Sequence, residues 1–261
     1  MTKKQERENK VLDILKHRKK LSTEEVTELL SISASTSRRI FKDLENSGKI
    51  VRTYGGIHLI SAKEPIYSFE DLESIHLTEK KQIALLACNL IQNDDIVYFD
   101  SGTTLFQLAN ALKLKLQKKE LHRVRVVTNS FANLQVLNDV CEVILIGGEY
   151  RTHRKAFAGY AAERFVKNFN YRKAFLGADG FDVSEGFMAT DANTAKLNEI
   201  VISRSEENIA LLDSSKLGIR SFVSYGLVSS MNTIITDWNV HPDIESVCIK
   251  SGISILKASQ N

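Results

Sequence analysis

From residue 78 onward, seven short apolar runs recur at 96–99, 124–127, 143–146, 174–176, 209–212, 233–236 and 253–256. Helical patterns fall between most of them, near 104–114, 131–137, 160–168, 194–203 and 242–251. A further helix opens at Thr78, with Ile83, Ala84, Leu86, Ala87 and Leu90 on its apolar face. Short apolar strands bounded by polar loops and alternating with helices predict an α/β body with a mostly parallel sheet covered on both faces.

In such sheets ligands bind beyond the carboxyl ends of the strands. Five consecutive runs end in small, hydroxyl or carboxylate residues: Asp100-Ser101-Gly102-Thr103-Thr104, Thr128-Asn129-Ser130, Gly147-Gly148 followed by Tyr150-Arg151, Asp179-Gly180, and Asp213 to Lys216. Each alone reads as ordinary turn chemistry. Their recurrence on one sheet edge predicts a polar small-molecule pocket. For a ligand with a phosphate and several hydroxyls, Ser101, Gly102, Thr103 and Thr104 are expected to hold the phosphate at a helix N-terminus. Asp100, Asn129 and Asp179 would meet sugar hydroxyls, and Arg151 or Lys216 would add positive charge.

The first sixty residues differ in charge. They hold thirteen Lys+Arg against eight Asp+Glu, whereas residues 61–261 hold 22 against 24, within a formal net charge of +3. A basic head on a slightly acidic body predicts that the head meets a polyanion. Three helical patterns precede a hairpin. Val11, Leu12, Ile14 and Leu15 mark the first, and Ser22 with Glu25 forms a capping box for the second. The third runs over 34–46, buries Ile40, Phe41 and Leu44, and is ended by Gly48. Its first turn, Ser35-Thr36-Ser37-Arg38-Arg39 with Lys42 beyond, has the small hydroxyls and bidentate donors of a helix that reads DNA in the major groove. The hairpin that follows would lay Arg52 and Tyr54 along the DNA backbone.

The segment from Ser35 to Gly56, STSRRIFKDLENSGKIVRTYGG, resembles the recognition helix and wing of the DeoR family of bacterial repressors. The paired arginines, Gly48 and the Arg-Thr-aromatic-Gly-Gly ending carry the likeness, with Ser37 and Ile40 where that family usually has isoleucine and aspartate. The five strand-end motifs resemble its sensor domain in order, so the match covers nearly all of the chain. It implies a winged helix-turn-helix domain over 1–60, a linker over 61–77, and a sugar-phosphate sensor over 78–261 with a fold similar to ribose-5-phosphate isomerase. It also implies a phosphorylated sugar as effector and a repressor of carbohydrate genes. Asn198 stands where the family tends to carry a lysine, with Lys196 half a turn away.

Paired heads on a repeated operator predict a homo-oligomer, a dimer or a tetramer. The rival reading is a sugar-phosphate isomerase carrying a DNA-binding head, with Asp179, Glu199 and Lys216 in the catalytic parts. No cofactor or metal is expected, since the six histidines show no ligand spacing. The absence of an apolar run of membrane-spanning length, an N-terminus without a signal-peptide core, and three widely spaced cysteines predict a cytoplasmic protein that meets no membrane.

Overall fold

The computed structural model describes residues 3–18, 20–47, 49–53, 56–59 and 67–260. Two compact units divide the chain, Met1–Tyr67 and Ser68–Asn261.

The first unit contains α1 (Lys3–Arg18), β1 (Lys20–Ser22), α2 (Thr23–Leu30), α3 (Ala34–Asn46), β2 (Ile50–Thr53) and β3 (Gly56–Leu59). Its core is Val11, Leu15, Leu21, Val26, Ile40, Phe41, Leu44, Ile50 and Ile57. Burial of each such side chain contributes ~1.5–3 kcal/mol. Ser22 accepts from the Glu25 N–H at 3.1 Å, and the Glu25 carboxylate accepts from the Ser22 N–H at 2.7 Å, so the expected capping box starts α2. Ser31, left-handed at φ 49°, ends α2, and Ser33 caps α3 two residues later. That three-residue turn sets α3 across α2.

Strand β1 is too short to be visible in the sequence. It pairs with β3, which pairs with β2, all antiparallel. A Cβ on Gly56 would lie 2.3 Å from the Leu21 carbonyl oxygen, so only glycine lets β3 approach β1 this closely. Gly48, Tyr54 and Gly55, given roles by the sequence, lie outside the described residues, as do 60–66 with Pro65.

The second unit opens with α4 (Phe69–Ser74) and α5 (Leu77–Cys88), followed by β4 (Ile96–Phe99), α6 (Thr103–Gln117), β5 (Arg125–Thr128), α7 (Phe131–Leu137) and β6 (Glu142–Leu145). A small ribbon, β7 (Glu149–Arg151) with β8 (Ala156–Ala158), leads to α8 (Tyr160–Val166) and β9 (Tyr171–Gly177). The chain continues through β10 (Gly180–Asp182), β11 (Gly186–Ala189), α9 (Ala192–Ile202), β12 (Ser205–Leu211), β13 (Val223–Gly226), β14 (Thr233–Thr236), α10 (Pro242–Lys250) and β15 (Ser254–Lys257).

All seven apolar runs become strands of one parallel sheet, in the order β15-β14-β12-β9-β4-β5-β6. Side chains alternate across it. Val97 and Phe99 of β4 and Phe175 of β9 join the core under α5 and α6, while Tyr98, Ala174 and Leu176 join the core under α8 and α9. A second sheet, β10-β11-β13, is antiparallel and was not legible as such in the sequence.

Part of the stretch read as connector, 61–77, is helix α4, and its Phe69 is buried edge-on against Phe106 of α6 at 5.6 Å. Ser68 caps it, and Lys80 donates to the Leu72 and Ile75 carbonyls at 2.6 and 2.7 Å, closing its C-terminal end.

Candidate functional site

On the first unit, α3 turns Ile40, Phe41 and Leu44 inward and leaves Ser35, Arg38, Arg39 and Lys42 exposed, with Thr36 half-exposed. The hydroxyls of Ser35 and Thr36 each lie 2.9 Å from that of the cap, Ser33. Ser37 was expected on this face and is not there. It is fully buried, with its hydroxyl 3.1 Å from that of Thr27, because position 37 faces α2. Arg52 is half-buried and sits 3.6 Å from the buried carboxylate of Glu45, bracing β2 against α3.

On the second unit, the five polar segments stand at the carboxyl ends of five adjacent strands, β12, β9, β4, β5 and β6. Asp100 follows the middle one and is 2% exposed. Its Oδ1 accepts from the Ser101 N–H at 2.7 Å, and its Oδ2 accepts from the Gly177 N–H at 3.2 Å and from Asn198 Nδ2 at 3.0 Å. Burial pushes its carboxyl up to about 6, against the opposing pull of those three bonds and of Arg154.

Gly102, at φ 127°, turns the chain into α6 and offers no side-chain cap. Helices α7 and α9 are instead capped by Ser130 and Asp191. The first N–H groups of a fifteen-residue helix are thus left open between the buried Ser101, Thr103 and Thr104, which is the arrangement that binds an anion.

Several expected contacts turn inward. Thr128 donates to the Phe99 carbonyl at 2.7 Å and accepts from Ser130 N–H and Asn133 Nδ2, so its hydroxyl is saturated by the fold. Ser130 caps α7, and Asn129 donates to the Phe157 carbonyl at 3.1 Å. Gly180 is buried where a Cβ would lie 2.5 Å from the Ile219 carbonyl oxygen. Gly147 and Gly148 are exposed, and Arg151 is buried with its guanidinium 3.5 Å from Glu149. Lys216 is half-buried on the turn that Asp213 caps.

Asp179 accepts from the N–H and hydroxyl of Thr190, both at 2.8 Å, and lies 3.4 Å from Arg154. Arg154 also bonds the Thr190 hydroxyl. For Asp191, burial acts to raise the carboxyl, but Arg154, the Thr194 N–H and Arg151 outweigh it and hold it below the usual range.

Comparison with known proteins fits this two-part layout. Residues 7–63 match the DeoR-like helix-turn-helix domain, and residues 75–238 match the DeoR C terminal sensor domain. The chain belongs to the DeoR family. The lactose phosphotransferase system repressor of Lactococcus lactis subsp. lactis is 34% identical over 243 residues, covering 92% of this chain and 93% of that one. The glycerol-3-phosphate regulon repressor of Escherichia coli (strain K12) is 29% identical over 234 residues, 89% and 90% of the two chains. Among solved structures, ribose 5-phosphate isomerase A from Methanocaldococcus jannaschii superposes with TM-score 0.42 at 17% identity, over 54% of this chain and 55% of that one.

Within this DeoR-family chain, sequence reading missed Asn133, Arg154, Thr190 and Tyr225. Asn133 ties α7 to the Asp100 carbonyl at 3.1 Å, and Tyr225 donates to the Gly177 carbonyl at 2.6 Å. None lies in a strand-end motif. Asp191 caps α9, its carboxylate accepting from the Thr194 N–H at 2.7 Å. Asn198 does face the site, whereas Lys196 is exposed and paired with Glu199 at 2.9 Å.

Proposed function

We propose that this chain is a DNA-binding transcriptional repressor of carbohydrate genes whose operator affinity is set by a phosphorylated sugar. What carries the reading is the pairing, in one DeoR-family chain, of an exposed basic helix α3 with the uncapped N-terminus of α6 beside the buried Asp100.

In this reading Ser35, Thr36, Arg38, Arg39 and Lys42 meet DNA, with Arg52 and Tyr54 on the wing. Ser37 instead supports the helix. The open N–H groups at Thr103 and Thr104, with Ser101, hold the phosphate. Asp100, Asn129, Asp179 and Asn198 surround the sugar, and Arg151, Arg154 and Lys216 offset the charge. Functional division falls at the head, 1–60, and the sensor, 78–261, with α4 attached to the sensor. The active species is a homo-oligomer, and a chromosomal DNA binder of this kind works in the cytoplasm. Among the described residues no helix is long and apolar enough to cross a membrane.

The isomerase alternative needs a base at the pocket. Glu199, cast in that part, is exposed and bound to Lys196, and Asp179 is occupied by Thr190 and Arg154. This supports a sensor without turnover. Fluorescence anisotropy of the full chain on DNA upstream of its own gene, with and without pentose and hexose phosphates, tests the reading. Sequence-specific binding that changes with one sugar phosphate is expected. Isomer formation from any of them would overturn it.

A further inference from the structure

Two ends of the effector site converge on one short helix. At the phosphate end, Phe106 lies in the first turns of α6, its N–H bonded to the Gly102 carbonyl at 2.9 Å, and its ring meets Phe69 of α4. At the carboxylate end, Arg154 is held by Asp179 and Thr190, and the next residue, Lys155, turns the other way. Its ammonium lies 3.1 Å from Glu70 and 4.8 Å from the centre of the Phe69 ring, both on α4. Lys155 is in the left-handed region at φ 48°, at the end of the turn that carries Arg154. Its carbonyl accepts from the Phe131 N–H at 2.8 Å, fixing this turn to the start of α7. Lys80, by binding the last carbonyls of α4, fastens the far end to α5.

We propose that α4 is the relay through which the effector site acts on the DNA-binding head, with Arg154-Lys155 and Phe106-Phe69 as its two inputs. The second unit begins at Ser68, so the chain coming from the head enters it through this helix. A ligand that draws in the first turn of α6, or competes for Arg154, moves a contact of Phe69 or Glu70. Both shifts are delivered to the residues nearest the connector. An ion pair, a cation over a ring and an edge-on aromatic pair are each weak enough to exchange between two arrangements. This proposal rests on the sensor reading above.

The test uses the full chain. Glu70→Gln/Lys155→Met removes the ion pair and the cation–ring contact, and adding Phe69→Leu removes the aromatic one. A panel of inorganic phosphate, glycerol 3-phosphate, ribose 5-phosphate, glucose 6-phosphate, fructose 6-phosphate and fructose 1-phosphate is first screened for a rise in Tm of the wild type. With the compound that raises it most, wild-type affinity for DNA upstream of its own gene is expected to change by about fivefold or more. The variants should keep that Tm rise and their ligand-free DNA affinity, while the response to ligand falls below about twofold. A full response in the triple variant would overturn the relay, as would loss of ligand binding itself, which would make these residues part of the pocket. A panel that leaves the wild-type Tm unmoved removes the sensor reading and the relay with it, an outcome distinct from the other two.

Discussion

Asn198 Nδ2 donates to Asp100 Oδ2 at 3.0 Å, joining α9 to the loop after β4 over ninety-eight residues of chain. The acceptor is a buried carboxylate that also accepts from the backbone N–H groups of Ser101 and Gly177 and, at 3.5 Å, from the Ser101 hydroxyl. Removing the amide with Asn198→Ala leaves that carboxylate short of one donor. A loss of ~1.5–3 kcal/mol of folding stability at neutral pH is expected, read by urea denaturation. An unchanged midpoint would mean that the bond contributes nothing.

Asp100 also predicts a pH dependence. Its folded pKa, about 6, lies above the ordinary 3.8, so the native state holds its proton more tightly than the unfolded chain does. The resulting stability is fully present below about pH 4 and is lost as pH rises through about 6, for a change of ~3 kcal/mol. Subtracting the pH–stability curve of Asp100→Asn from that of the wild type should reveal a difference that moves in this direction across that window. A flat difference would show that burial does not act on this carboxyl.

Arg38→Ala and Ser37→Ala should separate. Arg38 is exposed on α3, so its loss should weaken specific DNA binding by ~1–3 kcal/mol and leave Tm unchanged. Ser37 is buried against Thr27, so Ser37→Ala should lower stability by ~0.5–1.5 kcal/mol and leave base preference intact. Anisotropy on operator and scrambled duplexes, beside thermal melts, distinguishes the two. A Ser37→Ala protein with altered base preference would place that side chain back at the DNA.

Thr103→Val should lower affinity for the sugar phosphate by about tenfold, the equivalent of ~1.4 kcal/mol, while ligand-free DNA affinity stays at the wild-type value. Calorimetry with the ligand found in the thermal screen gives the first quantity and anisotropy the second. Equal damage to both would undo the division of labour between the two units.

At the opposite edge of the sheet, Lys173 Nζ lies 2.9 Å from the buried Asp95, which also accepts from the Gln92 N–H. Asp95→Ala should destabilise the second unit by ~3–5 kcal/mol by stranding a buried ammonium. Denaturation of the variant checks this, and DNA binding at low temperature should survive.

Local patterning carried much of the fold. All seven apolar runs, the Ser22–Glu25 cap and the bounds of α3 were readable because each depends on a few neighbouring residues. Strand β1, the ribbon β7-β8 and helix α4 were not, since three to six residues give too short a period to read. Their order comes from distant partners: β3 for β1, and Phe106, Lys80 and Lys155 for α4.

By itself, the sequence determined that five polar strand ends share one sheet edge and that a basic helix precedes them, because alternation and charge are properties of neighbours along the chain. Only the tertiary structure decided which hydroxyls remain for a ligand. Thr128 and Ser37 spend theirs inside the fold, Asn198 and Arg154 come in from other elements, and Gly102 leaves the start of α6 without a side-chain cap. Hydrogen-bond satisfaction in a buried setting is settled by whatever atoms packing brings within 3 Å, and separation along the chain does not record that distance.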